Sequence, residues 1–257
     1  MADAAFPLER TAILTGAASE RGIGRATADL LASLGWAVAI LDLDAAACAE
    51  AAAEIARRHG VPTLGVGVDV TDQAAVDRAV AKVEAELPAV VALVNLAGIS
   101  SPTDFMEETV AGWERVFKVN VTGAFIVCQR VLAGMVERRL GRVVCLSSIS
   151  AQRGGGTYSK SAYSSSKAAL IGMVRSIARE LGQYGITANC VAPGAVDTDI
   201  MGGTLDDERK AQMAQGILVG RIGDRDEVAA LIAFLVGDKA GYVTAATYDI
   251  NGGLQIS

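Results

Sequence analysis

The sequence predicts one α/β domain over residues 1–257, in which a doubly wound, mostly parallel sheet of seven strands carries helices on both faces. Short apolar runs alternate with alanine-rich helical stretches along the whole chain, which is the order expected of a parallel α/β sheet. The predicted strands are continuously apolar, as strands buried on both faces are. No linker rich in Pro, Ser or charge and no internal repeat divides the 257 residues, so a single domain is expected.

The elements follow one another in a regular order. Apolar runs predict strands at 12–15, 37–41, 64–68, 90–94, 142–146 and 187–191, with a last strand inside 242–253. Alanine-rich stretches predict helices from the glycines after the first strand to about 34, and at about 45–59, 72–86, 112–140 and 162–182. The chain from about 199 to 226 breaks the alternation, and a long excursion in a compact domain is usually functional. We expect a substrate lid there, with a solvated surface loop as the alternative.

Composition excludes several classes of function. The formal net charge is -6 and the pI is about 4.9, so we expect no binding of nucleic acid or of an anionic membrane. No uninterrupted apolar run approaches the ~18 residues of a membrane helix, and the first residues lack the pattern of a secretory signal. Four separated cysteines without a C-x-x-C pair, and one histidine, predict no metal site. These observations predict a cytoplasmic protein.

The region after the first strand has the pattern of a dinucleotide site. Gly16, Gly22 and Gly24 precede and open the first helix, where backbone amides can hold a pyrophosphate. Their spacing is not G-x-G-x-x-G, so a glycine-rich turn without a ligand stays open on these residues alone. Asp42 ends the second strand, where a carboxylate can accept hydrogen bonds from ribose hydroxyls and repel a 2′-phosphate. Together these residues favour a dinucleotide.

A second group of residues suits carbonyl chemistry. A free phenol titrates near ~10, and Lys167 lies four residues after Tyr163 on the same helical face, where its ammonium can favour the phenolate. Ser148 follows the fifth strand and can hydrogen-bond a substrate oxygen. Either pattern alone is common: Tyr-x-x-x-Lys occurs on exposed helices, and Ser-Ser after a strand often forms a turn.

Five motifs occur in the order seen in the short-chain dehydrogenases/reductases: Thr15-Gly16, Gly22-Ile23-Gly24, Asn95-Leu96-Ala97-Gly98, Tyr163-Ser-Ser-Ser-Lys167 and Pro193-Gly194. From about residue 8 to residue 254 the chain resembles the compact single-domain branch of that family. The resemblance implies a Rossmann fold and hydride transfer between a nicotinamide cofactor and a small alcohol or ketone. It also implies four catalytic residues, namely Asn120 for proton relay, Ser148, Tyr163 and Lys167.

The resemblance implies a full set of binding residues. The phosphate loop would contain Gly16, Ser19, Arg21, Gly22, Ile23 and Gly24. The adenosine half would contact Asp42, Asp69, Val70, Asn95, Ala97 and Gly98. The nicotinamide half would contact Tyr163, Lys167, Pro193, Gly194, Val196 and Thr198. We further hypothesise that Ser100, Ile149, Ser150, Gln152, Arg153 and Tyr158 face the substrate.

The chain departs from the family pattern at two places. Five residues, 17–21, separate the first two glycines where the family usually has three, and Leu96 replaces the second of two asparagines. Arg21 is a basic residue of the kind that accompanies a 2′-phosphate, whereas Asp42 opposes one, because a carboxylate beside a desolvated dianion is strongly repulsive. We therefore predict NAD as cofactor rather than NADP.

The predicted function is NAD-dependent interconversion of a secondary alcohol and a ketone. The alternatives are an NADPH-dependent 3-oxoacyl thioester reductase, a non-catalytic dinucleotide sensor on the same fold, and a sugar-nucleotide epimerase, whose relatives carry a larger C-terminal domain. The helices at 112–140 and 162–182 are apolar around most of their circumference, more than one core covers. A two-fold interface is therefore expected, and the resemblance implies a homotetramer.

Overall fold

One parallel sheet organises the protein. The computed structural model describes residues 6–156, 159–199 and 206–256. Its strands are β1 Thr11–Thr15, β2 Ala37–Asp42, β3 Thr63–Gly67, β4 Val90–Asn95, β5 Gly141–Leu146, β6 Ile186–Pro193 and β7 Thr247–Ile250. They lie in the order β3-β2-β1-β4-β5-β6-β7, and every pairing is parallel. The predicted fold class is confirmed. The strand order therefore runs from β1 outward in one direction through β2 and β3, and from β4 outward in the other direction. The boundary between β1 and β4 is the topological switch point, and ligands of such sheets bind there, outside the carboxyl ends of the strands.

Helices cover both faces of the sheet. They are α1 Ile23–Ser33, α2 Ala45–His59, α3 Gln73–Glu86, α4 Val110–Phe117, α5 Ala124–Arg138, α6 Ser150–Arg153, α7 Ser161–Leu181, α8 Asp207–Ala214 and α9 Arg225–Val236. Apolar side chains of α1, α2 and α9 form one core with the sheet, and those of α3, α5 and α7 form the other. The strands are therefore buried on both faces, which explains why their sequences are continuously apolar.

The predicted helix at 112–140 is not one regular helix. A π-helical segment, Lys118–Gly123, separates α4 from α5, and such segments are frequent at functional sites. A Cβ on Gly123 would lie 2.7 Å from Val70 Cγ2, so the π segment packs closely against the loop after β3.

By length and composition alone, Val110–Arg138 could cross a membrane, but a buried core helix passes the same test and 44% of its most apolar window is buried.

The structure also corrects the prediction near the C-terminus. Within the expected lid at 199–226, the described residues form α8, and the excursion ends where α9 begins at Arg225; residues 200–205 lie outside the described part. α9 was not predicted, although Asp224 and Glu227 form a capping box at its start that is a recognisable sequence signal. The last strand is shorter than the predicted range and covers Thr247–Ile250.

Candidate active site

Tyr163, Ser148 and Lys167 come together at the carboxyl edge of the sheet. Tyr163 and Lys167 lie on the first turns of α7, and Ser148 follows β5. The Ser148 hydroxyl lies close enough to the Tyr163 phenol to lower the pKa of that phenol, and Lys167 Nζ lies 5.6 Å from the centroid of the Tyr163 ring. Nζ donates a 2.7 Å hydrogen bond to the Leu146 carbonyl, which holds the lysine beneath the tyrosine.

Burial governs the protonation of both groups. It raises the pKa of Tyr163 to about 12, while the Ser148 hydroxyl acts in the opposite direction. It lowers the pKa of Lys167 to about 8, because a buried ammonium loses its hydration. The expected shift of the phenol toward neutral pH by Lys167 is therefore outweighed by desolvation. Efficient proton exchange at neutral pH requires a further positive charge beside the phenol.

Asn120 links three elements of the site. It lies in the π segment and is fully buried. Its Oδ1 accepts a 2.8 Å hydrogen bond from the Ile99 amide, and its Nδ2 donates to the Ile99 carbonyl and to Ser166 Oγ, both at 3.0 Å. A Cβ on Gly98 would lie 3.1 Å from Asn120 Oδ1 and 3.5 Å from Lys167 Nζ. Asn120 thus fastens the loop after β4 to α7 beside the lysine, and its part in a proton relay stays a prediction.

A cavity of about 250 Å³, the smaller cavity, opens over Tyr163. Predicted residues that line it are Ser100, Ser148, Ser150, Tyr163, Pro193, Gly194, Val196 and Thr198. Arg153, which the sequence also indicated, lines it as well, and so do Met213 and Leu254, which the sequence did not indicate. Gln152 was wrongly placed, because its Nε2 donates to Asp249 Oδ1 at 3.0 Å at the surface and it does not line the cavity. Tyr158 lies outside the described residues.

A cavity of about 560 Å³, the larger cavity, lies over the carboxyl ends of β1, β2 and β4. Predicted residues that line it are Gly16, Ser19, Gly22, Ile23, Gly24, Asp42, Asp69, Val70, Ala97, Gly98 and Thr198. The sequence did not indicate Leu96, Arg115, Lys118, Val119 or Asp199 on its wall. Ile23, Leu146 and Thr198 line both cavities. The two cavities therefore adjoin, with Tyr163 on the smaller side.

Two predicted contacts of the larger cavity are replaced by contacts within the protein. Asn95 is buried, where its Oδ1 accepts from Thr15 Oγ1 at 2.8 Å and its Nδ2 donates to the Ala124 carbonyl at 3.1 Å. Neither Asn95 nor Lys167 lines the larger cavity. Asn95 therefore fastens β1 and β4 to α5 instead of contacting a ligand directly.

The larger cavity fits the phosphates of a dinucleotide. Asp or Thr side chains cap α2, α3, α4, α8 and α9. α1 starts at Gly22 without a side-chain cap, so its first amides have no side-chain acceptor and suit an anion. A Cβ on Gly24 would lie 2.6 Å from the Gly16 carbonyl oxygen, which explains the glycine. Asp42 is fixed at the cavity wall because its carboxylate accepts from the amides of Ala18 and Leu43, at 3.1 and 2.8 Å.

The long glycine loop is tied to the segment that follows β6. Arg21 pairs with Asp197 at 2.6 Å and with Asp199 at 3.5 Å, and Ser19 Oγ hydrogen-bonds Asp199. Lys210 of α8 pairs with Asp197 at 2.8 Å. Arg21 does not line the larger cavity, and these ion pairs take the place of the contact with the cofactor phosphates that the resemblance implied. The longer glycine loop therefore contacts the segment that follows β6, through Asp197 and Asp199.

Comparison with known proteins agrees with this geometry. A family model described as enoyl-(acyl carrier protein) reductase matches residues 16–255. The chain is 40% identical over 247 residues to the uncharacterized short-chain type dehydrogenase/reductase y4mP of Sinorhizobium fredii, covering 96% of this chain and 98% of that protein. It is 36% identical over 245 residues to 3-oxoacyl-[acyl-carrier-protein] reductase FabG of Aquifex aeolicus, covering 95% and 97%.

A solved structure shows the same architecture. The crystal structure of 3-oxoacyl-[acyl-carrier protein] reductase from Brucella melitensis ATCC 23457 has a TM-score of 0.89 and 33% sequence identity, covering 97% of this chain and 92% of that one. Fold and site together define an oxidoreductase that binds a nicotinamide dinucleotide. The chain belongs to the short-chain dehydrogenase/reductase family.

Proposed function

We propose that the protein is an NAD-dependent enzyme that interconverts a secondary alcohol and a ketone in the cytoplasm. The observation that carries the proposal is that Tyr163 and Ser148 line one small cavity, with Lys167 beside the tyrosine ring, and that this cavity adjoins a dinucleotide-sized one. A non-catalytic sensor has no need of this arrangement. A substrate carbon in the smaller cavity would lie over Tyr163 and beside the nicotinamide end of a dinucleotide in the larger cavity.

The residues of the smaller cavity would divide the chemistry between them. When bound, the cofactor supplies a nicotinamide ring that takes a hydride from the carbinol carbon or returns one to the ketone. Tyr163 would accept the hydroxyl proton in oxidation and donate it in reduction. Ser148 would hold the substrate oxygen against that phenol, and Lys167 would stabilise the phenolate once the site is closed to water.

The larger cavity supports NAD over NADP. The Asp42 carboxylate is fixed on its wall by two backbone amides, where it can accept hydrogen bonds from ribose hydroxyls and oppose a 2′-phosphate. Arg21, the cation that could have favoured that phosphate, is engaged by Asp197 and Asp199. The position of Asp42 and the ion pairs of Arg21 therefore both favour NAD, which lacks the 2′-phosphate.

The names of the relatives support a second candidate. FabG of Aquifex aeolicus and the Brucella protein are 3-oxoacyl-[acyl-carrier-protein] reductases, so an NADPH-dependent reduction of a 3-oxoacyl thioester is the alternative. The direct test supplies NAD or NADP with a panel of secondary alcohols, and NADH or NADPH with acetoacetyl thioesters. Oxidation of alcohols with NAD supports the first proposal, and exclusive reduction of thioesters with NADPH replaces it. Tyr163→Phe is the matched control in every reaction.

We further propose that the enzyme is a homotetramer. Phe125 on α5 is 50% exposed and Val110 on α4 is 74% exposed, although both helices also supply core residues. Apolar side chains in such positions are expected under a second subunit. The π segment between these helices carries Asn120 next to the site, so assembly and activity should be coupled.

A further inference from the structure

The smaller cavity has an uneven distribution of charge. Arg153 is the one charged side chain among the described residues that line it. The remaining lining consists of apolar groups such as Ile149, Met213 and Leu254, and of hydroxyls. We propose that Arg153 binds a carboxylate on the substrate, so that the enzyme acts on hydroxy or oxo acids rather than on neutral alcohols. The inference rests on the proposed alcohol–ketone chemistry and names its substrate class.

Arg153 is positioned by the same turn of chain that positions Ser148. Ser148 Oγ accepts a 3.1 Å hydrogen bond from the Ser150 amide, and the Ile149 amide donates to the Pro193 carbonyl at 3.0 Å. The Arg153 amide donates to the Ile149 carbonyl at 3.0 Å, which closes α6. Within α6, where the rise is ~1.5 Å per residue, Arg153 lies about 4.5 Å along the helix axis from Ser150. Because Ser148, Tyr163 and Arg153 line the same cavity, a short acid can meet Ser148 and Tyr163 with its reacting oxygen and Arg153 with its carboxylate.

The guanidinium has no partner among the described residues. Other arginines elsewhere in the protein are engaged: Arg21 by Asp197, Arg130 by Glu84 and Arg221 by Glu227. Because the whole chain carries a net charge of -6, a cation in the cavity is not explained by general surface charge. A guanidinium presents parallel N–H donors that match both oxygens of a carboxylate.

The cavity volume favours a small carboxylate over a carrier-bound phosphate. About 250 Å³ encloses a short acid, whereas the phosphate of a phosphopantetheine arm would lie farther from the reacting carbon. Arg153 is exposed at the cavity mouth, so solvent weakens the pair. We therefore expect the carboxylate to be worth about 10- to 100-fold in kcat/KM, the range of a hydrogen bond to a charged group.

The test uses matched pairs of substrates that differ only in charge. Lactate, 3-hydroxybutyrate and 4-hydroxypentanoate are each compared with their methyl esters, with NAD, for the wild-type protein and for Arg153→Gln, Arg153→Lys and Lys160→Gln. Lys160 is the matched control, because its ammonium pairs with Asp104 at 2.9 Å and does not line the cavity. We expect at least one acid to exceed its ester about tenfold or more, and Arg153→Gln to bring that ratio close to one. Arg153→Lys should keep part of it, and Lys160→Gln all of it.

Several results would overturn the inference. They are equal use of acid and ester by the wild-type protein, an unchanged ratio in Arg153→Gln, or a loss of the ratio in Lys160→Gln instead. A preference for the acetoacetyl thioester of 4′-phosphopantetheine over that of pantetheine, lost in Arg153→Gln, would assign the cation to a phosphate and also overturn it.

A binding measurement separates this inference from the proposed function. Acetoacetate and methyl acetoacetate are titrated calorimetrically into Tyr163→Phe with NADH, with and without Arg153→Gln. Tighter binding of the acid that depends on Arg153 supports the inference even if the wild-type protein oxidises none of the alcohols, a result that would defeat the proposed function alone. Equal binding of the two compounds refutes the carboxylate site.

Discussion

Replacing Lys167 with methionine should stabilise the folded protein at neutral pH. Burial lowers the pKa of Lys167 from 10.5 to about 8, and each pKa unit corresponds to ~1.4 kcal/mol. At pH 7 the lysine is protonated in both states, so this burial costs the folded state about 3 kcal/mol. The variant also loses the hydrogen bond from Lys167 to the Leu146 carbonyl, which lowers its free energy of unfolding by about 1 kcal/mol. Lys167→Met should therefore raise the free energy of unfolding by about 2 kcal/mol at pH 7.

The same reasoning fixes the pH dependence. Because the folded-state pKa lies below the unfolded-state value, the unfolded chain binds more protons between about pH 8 and pH 10.5, and the stability of the wild-type protein rises relative to that of the variant over this window. The thiol of Cys48, whose pKa burial raises to about 11, titrates in both proteins and cancels in the difference.

Urea denaturation at fixed protein concentration, at pH 7 and pH 10, measures this difference. We expect the advantage of Lys167→Met at pH 7 to shrink and reverse by pH 10. A variant that is less stable than the wild-type protein at pH 7, or a difference that does not change between the two pH values, would refute the argument that desolvation dominates at Lys167.

Three further predictions test other parts of the account. Asp42→Ala should erode a preference for NAD over NADP that we expect to be at least about tenfold in kcat/KM; equal use of NADP by the unaltered protein would contradict the cofactor assignment. Asn120→Ala removes three buried hydrogen bonds and should lower the free energy of unfolding by about 2–4 kcal/mol, with lower activity; an unchanged denaturation midpoint would argue against its positioning role. Phe125→Glu places a charge on an exposed apolar surface of α5 and should reduce the mass seen by light scattering from two or four chains, whereas a 26.4 kDa wild-type particle would reject the interface.

Much of the fold was predictable because its signals are local. Apolar runs and alanine-rich stretches repeat at the periods of strands and helices, and α2 was predicted with the bounds that the structure has, Ala45–His59. The π segment was not predictable in this way. Lys118–Gly123 keeps the apolar pattern of a helix, and its geometry depends on Asn120 bonding to Ile99 and Ser166 in other elements.

The positions of site residues were predictable where the chemistry requires one particular type of residue. Tyr163, Ser148 and the glycines of the phosphate loop lie where the sequence indicated. Arg21 was misplaced because its partner Asp197 is 176 positions away, a distance that no local pattern reports. Gln152 does not line the cavity although its neighbour Arg153 does, because α6 has only four residues and a shift of one position decides which side chain faces the cavity.

The most direct test of the central claim is the turnover of Tyr163→Phe. The variant keeps the ring within its packing but removes the phenolic oxygen beside Ser148. With an alcohol and NAD at saturation, turnover should fall by about 10² or more, while the dinucleotide affinity, measured by fluorescence titration, should change little. A Tyr163→Phe protein with near-normal turnover would contradict the account.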